Sequence, residues 1–137
     1  MVFVSHSYEE TFGFALELSK KIESGAFLAL YGDLGAGKTC FVSGLAKGFG
    51  STDPVSSPTF AIVHYYRGEK NLAHFDMYRI NEDMLEDTGY YEYMEDGSVI
   101  ACEWCENIAG EIPDDAIRIT ITYGEEENER IISVEGM

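Results

Sequence analysis

Apolar positions along the chain alternate between short continuous runs and helical stripes. Residues 2–4 read as a short strand, and Ser7-Tyr8-Glu9-Glu10 has capping-box spacing, with Ser7 as N-cap and Glu10 reaching back. The helix opened there is expected to run to about Ile22, with Phe12, Ala15, Leu16 and Ile22 on or near one stripe, and to break at Gly25. Residues 26–31 are a continuous apolar run of strand length, the pattern of a strand covered on both faces. A glycine-rich loop leads into a second helix over about 38–49, with Phe41, Val42, Leu45 and Phe49 at helical spacing. Residues 59–66 and 72–78 read as strands joined by Arg67-Gly68-Glu69-Lys70, a connection that permits only antiparallel pairing. Residues 82–94 are expected to be helical in one or two pieces around Gly89, and 99–102 form a short buried strand ending at Glu103. Residues 117–123 and 129–134 make a second hairpin. The class is α/β, a mixed sheet with helices packed on it.

Composition narrows the function. The 137 residues make room for one domain, 1–137, with no internal repeat or dividing linker. At 45% apolar the chain buries a core, which excludes a disordered or collagen-like protein. Acids outnumber bases 25 to 9, for a charge of −16. Such a surface is a poor match for nucleic-acid phosphates or anionic membranes, so direct nucleic-acid binding and membrane association are not expected. No run approaches the roughly 18–20 residues of a transmembrane helix. The N-terminal residues lack a basic region and a long apolar stretch, so a signal peptide is not expected and the cytoplasm is. Cys40, Cys102 and Cys105 are an odd count without secretory context and are expected as reduced thiols.

Gly32-Asp33-Leu34-Gly35-Ala36-Gly37-Lys38-Thr39 fits G-x-x-x-x-G-K-[ST] in full. Glycines let the backbone wrap phosphate with its N–H groups inward, and the following helix adds its positive N-terminal end. Lys38 reaches the β- and γ-phosphates in this motif, and the Thr39 hydroxyl ligates Mg²⁺. A strand before and a helix after meet the context the motif requires. The expected architecture is therefore a three-layer, P-loop NTPase-like fold with a mixed sheet of about seven strands and antiparallel hairpins. A carboxylate at the end of a neighbouring strand normally completes the metal site. Val99-Ile100-Ala101-Cys102-Glu103 and Leu72-Ala73-His74-Phe75-Asp76 both offer one. Glu103 is favoured as metal ligand, which leaves Asp76 to orient or activate the attacking water or to stand behind the ligand. Thr59, in the loop before a hairpin, is either a switch residue over the γ-phosphate or a turn-capping hydroxyl. His74 shares a strand face with Asp76, and a hydrogen-bonded structural role is favoured over a transition-metal site. Cys102-Glu103-Trp104-Cys105 lacks further zinc ligands and a thioredoxin-like context.

What is missing also discriminates. No Asn-Lys-x-Asp tetrad exists to read guanine, which disfavours a GTPase. Between Arg79 and Arg118 there is no lysine or arginine against 12 acids, so a small-molecule kinase lacks its basic lid. That kinase and a nucleotide-gated binding module with negligible turnover stand as the alternatives.

Four motifs in order, Gly32 to Thr39, Ser57-Pro58-Thr59-Phe60, His74-Phe75-Asp76-Met77-Tyr78-Arg79 and Glu103-Trp104, resemble the TsaE (YjeE) family over nearly the whole chain. This is the P-loop ATPase family of bacterial tRNA threonylcarbamoyladenosine synthesis. The resemblance implies ATP binding through Leu34, Gly35, Ala36, Gly37, Lys38 and Thr39, with Mg²⁺ at Thr39 and Glu103. It places Asp76 and Thr59 near the γ-phosphate, so that Asp76, Thr59 and Lys38 form the catalytic set, and puts Thr11 and Arg130 at the nucleotide's edge. It also implies an accessory, weak ATPase acting with the partner proteins TsaB and TsaD in threonylcarbamoylation of adenosine 37 of tRNAs reading ANN codons. Two departures stand out: Cys105 occupies a position usually Pro, and Cys40 one usually Thr.

Overall fold

The computed structural model describes residues 1–33, 35–55 and 62–137. Leu34 and the segment 56–61, which holds the Ser57-to-Phe60 motif and Thr59, lie outside the described residues.

The chain runs β1 (Val2–Ser5), α1 (Tyr8–Ser19), β2 (Phe27–Tyr31), α2 (Lys38–Gly48), β3 (Val63–Tyr66), β4 (Leu72–Asp76), a 3₁₀ segment (Glu82–Thr88), α3 (Tyr90–Glu95), β5 (Val99–Glu103), a second 3₁₀ segment (Cys105–Glu111), β6 (Ile117–Tyr123) and β7 (Arg130–Glu135). Ser7 caps α1 by accepting from Glu10 N–H, while the Glu10 carboxylate reaches one residue further back than expected, to His6 N–H. The helix stops at Ser19, short of Ile22, although Ile22 is buried. Gly89, with φ 84°, divides the 82–94 region into its two pieces. Cys105–Glu111 is a helical segment that no periodicity announced.

Seven strands form one sheet in the order β1-β7-β6-β2-β5-β4-β3. The central β6, β2, β5 and β4 are parallel, and β3, β7 and β1 are added by antiparallel pairing. Both faces are covered, which explains the unbroken apolar runs of the central strands. Alternation within each run sends residues to opposite layers. Leu28, Leu30, Val99 and Ala101 pack with Ala15, Leu18, Phe41 and Leu45 of α1 and α2. Phe27, Ala29, Ile100 and Cys102 pack with Leu85, Tyr90, Cys105 and Ile108 on the other side. The result is three layers, a mixed sheet between helices, in agreement with the fold read from the chain. No helix among the described residues is long and apolar enough to cross a membrane.

The topology has one consequence for function. The carboxyl ends of β1, β6, β2, β5 and β4 lie along a single edge of the sheet, where the first turn of α1, the glycine-rich loop, Asp76, Glu103 and Arg130 all fall. Open α/β sheets bind ligands at this edge.

Candidate functional site

The loop between β2 and α2 is shaped by glycine for two different reasons. Gly32 has φ 145°, and a Cβ there would lie 2.3 Å from the carbonyl oxygen of Ile121 on β6, so close sheet packing excludes any side chain. Gly37 has φ 110° with open space around it, so the requirement there is conformational. A turn closed by Ala36 N–H donating to Asp33 O leads into α2, whose N-terminus carries no side-chain cap. Its first N–H groups are therefore available to an anion, supported by the helix dipole.

Below the loop lies a nearly buried trio of ionisable side chains. Lys38 Nζ donates to Gly32 O at 2.6 Å and stands 3.4 Å from Glu103 Oε1. His74 Nε2 is 2.6 Å from Glu103 Oε2. The side chains of Lys38 and Glu103 are 11% and 10% exposed, and that of His74 is 0% exposed. Burial pushes the Glu103 carboxyl up, but the hydrogen bond and charge of His74, followed by the Lys38 ammonium, outweigh it and hold the pKa below the ordinary glutamate range. The folded state thus binds its proton less tightly than the unfolded chain. The associated stability is fully present above the unfolded value and disappears as pH falls through the folded one. In metal-free buffer, the wild type is therefore expected to unfold at higher temperature than Glu103→Gln at neutral pH, with the gap closing below about pH 4.3. Thermal unfolding across that window checks it; a gap that widens in acid contradicts the assigned sign.

Asp76 is the direct neighbour of Glu103 in the β4–β5 register. Its Oδ1 accepts from Tyr78 N–H at 2.9 Å, and Asn107 Nδ2 ties down the same turn by donating to Met77 O and Tyr78 O. Thr39 directly follows Lys38 in the first turn of α2. Thr11 and Arg130, distant in sequence from the loop, line one cavity of about 180 Å³ together with Gly35, Ala36, Gly37 and Cys40. Ser5 Oγ donates to Ser7 O, so at 2.7 Å it accepts from Thr11 Oγ1, which keeps lone pairs of its own. Arg130 lies over the Tyr123 ring, 4.5 Å from its centroid, and its Nη1 donates to Glu127 O and Glu129 O. The structure thus brings Thr11, the glycine loop, Lys38, Thr39, Asp76, Glu103 and Arg130 to one edge, while Leu34 and Thr59 lie outside the described residues.

Three features escaped the reading of the chain. His74 is hydrogen-bonded, as expected, but its partner is the carboxylate favoured as metal ligand. The signal was available: His74 and Asp76 share a strand face, yet only the β4–β5 pairing says what that face meets. Trp104, which follows Glu103, adopts a left-handed backbone at φ 60°, unusual for a bulky residue. Its exposed ring packs against the equally exposed Tyr78 at 4.9 Å, forming an aromatic rim beside both carboxylates. Cys40 lines the cavity while its thiol donates to Tyr8 O, and burial pushes its pKa up to about 11, so it is present as the thiol.

Comparison with known proteins places this arrangement. The family described as "Threonylcarbamoyl adenosine biosynthesis protein TsaE" matches residues 5–132. A protein of Treponema pallidum named tRNA threonylcarbamoyladenosine biosynthesis protein TsaE is 38% identical over 120 residues, covering 86% of this chain and 88% of that protein. A Bacillus subtilis protein of the same name is 42% identical over 123 residues, covering 88% of this chain and 77% of that protein. The crystal structure of Bacillus subtilis YdiB superposes with a TM-score of 0.83 at 32% identity, covering 98% of this chain and 83% of that one. The chain belongs to the TsaE family, whose members are named as tRNA threonylcarbamoyladenosine biosynthesis proteins.

Proposed function

We propose that residues 1–137 form one Mg²⁺-dependent ATPase domain that acts in the cytoplasm with the partner proteins TsaB and TsaD in tRNA threonylcarbamoylation. The observation that carries this reading is the convergence of an uncapped helix N-terminus, Lys38 and an ionised Glu103 below a complete phosphate-binding loop. The donors suit the metal. A carboxylate held in its charged form and the Thr39 hydroxyl are hard oxygen ligands, the kind Mg²⁺ prefers. Thr39 and Glu103 would hold the ion, which neutralises charge on the β- and γ-phosphate oxygens when bound.

The chain's own residues do the rest. Loop amides and Lys38 bind and orient the phosphates, while the cavity lined by Thr11 and Arg130 borders the loop on the side of α1 and takes the remainder of the nucleotide. Asp76, one strand over from Glu103, orients the attacking water and accepts its proton. Thr59, outside the described residues, is assigned a role near the γ-phosphate from the family's motif alone.

Steady-state phosphate release and nucleotide titration on two variants test this division. Asp76→Asn is expected to bind ATP like the wild type and lose about 10²–10⁴-fold in turnover, the scale of a lost general base. Glu103→Ala is expected to lose both Mg²⁺ dependence and turnover. If Asp76→Asn abolishes metal binding and Glu103→Ala does not, the two roles are exchanged.

A further inference from the structure

His74 is an odd choice for its position. It sits on the central strand β4, on the face that Leu72 shares with α1 and α2, and is fully buried. Among the described residues its Nδ1 has no hydrogen-bond partner. A buried imidazole with one idle nitrogen packs no better than leucine and costs more to desolvate, so packing alone does not account for it. All of its polar capacity goes through Nε2 to Glu103 Oε2. With Nδ1 unpartnered, the ring N–H is assigned to Nε2, where it donates to the carboxylate.

The two partners of Glu103 differ in kind. His74 is held by the β4–β5 ladder, where it pairs with Ala101 while Asp76 pairs with Glu103, so the distance between imidazole and carboxylate is set by the sheet itself. Lys38 reaches Oε1 from a flexible stem at the longer distance of 3.4 Å and has its shorter bond elsewhere, to Gly32 O. One contact is fixed by the fold and the other is exchangeable.

We propose that His74 is a positioning residue for the metal-binding carboxylate, pinning Glu103 Oε2 so that Oε1 alone exchanges Lys38 for the divalent cation of a bound nucleotide. This rests on the nucleotide and metal reading above. Ligand-orienting partners of this type typically account for about 10–100-fold in metal affinity.

Mn²⁺ binding to the full chain in the presence of ADP, followed by electron paramagnetic resonance, tests the proposal without turnover. His74→Leu is expected to weaken Mn²⁺ binding by about 10–100-fold while leaving ADP affinity in EDTA unchanged. His74→Gln places an amide N–H near the Nε2 position and is expected to recover most of the affinity, whereas the shorter His74→Asn is not. In a Glu103→Gln background, His74→Leu is expected to change nothing further. Wild-type Mn²⁺ affinity in His74→Leu, or a loss that persists in the Glu103→Gln background, overturns the proposal. If His74→Leu fails to fold, the comparison of Gln with Asn decides, with equal affinities overturning it. A wild-type chain without any ADP-dependent Mn²⁺ site would instead remove the nucleotide reading on which the proposal rests.

Discussion

Replacing Lys38 with alanine is expected to abolish tight ATP binding, with a loss of about 30-fold or more in affinity measured by titration calorimetry. Among the described residues, Lys38 is the one cation placed between the glycine loop and the carboxylate, with its ammonium on Gly32 O and beside Glu103 Oε1. Truncating one partner of a desolvated charge pair costs about 2–5 kcal/mol, which corresponds to roughly 30-fold to a few thousand-fold. Arg130 cannot take over. It is held on the carbonyls of Glu127 and Glu129 and over the Tyr123 ring, at the start of β7, three strands away from β5 and Glu103. The fold is expected to survive, because Glu103 keeps the His74 hydrogen bond, and thermal unfolding run beside the titration separates lost binding from lost structure. Unchanged affinity in a folded Lys38→Ala protein would remove the phosphate-binding assignment.

Hydrolysis is expected to be slow in the isolated chain and to rise strongly when TsaB and TsaD are added together. Phosphoryl transfer needs positive charge at the transition state, and an arginine supplied for that purpose is worth roughly 10³–10⁵ in rate. This chain has little to offer from its own side chains. Arg118 donates to the Tyr31 hydroxyl, Arg130 is tied to carbonyls, and Arg79 is exposed in the turn after Asp76. A cation donated by a partner would supply the missing stabilisation. The stretch from Glu82 to Asp115 is rich in acids and free of bases, exposes all of its acids but Glu103, and contains Trp104, whose exposed ring packs on Tyr78. A basic partner surface fits that face, so the stimulation is expected to weaken as salt screens the approach. Phosphate release measured with and without the partners, at low and high ionic strength, checks both points. Fast turnover by the chain alone, indifferent to the partners, would refute the accessory role and move a free-standing ATPase or a kinase ahead of it. The same charge predicts no tRNA binding by the isolated chain at physiological salt.

Much of the molecule was legible in the chain because the relevant forces are local. The cap at Ser7, the glycine that divides 82–94 and the short connections of both hairpins act within a few residues. The phosphate-binding loop was legible for the same reason, since its chemistry requires particular residue types at fixed spacing. The unbroken apolar runs at 26–31 and 99–102 also announced strands buried on both faces, and that burial is what made the class α/β. Other matters were decided only in three dimensions. The strand order puts β5 between β2 and β4, and that order, not any spacing, brings Glu103 under Lys38 and against His74. It also decides which carboxylate faces the lysine, and shows that Gly32 is required by the backbone of β6 rather than by phosphate alone. Thr11 and Arg130 share a cavity because β1 pairs with β7, a contact between the two ends of the chain. Periodicity reports which face of an element is apolar, but pairing between distant strands is settled by burying all those faces at once. Polar groups left inside then have to find one another, as Lys38, His74 and Glu103 do.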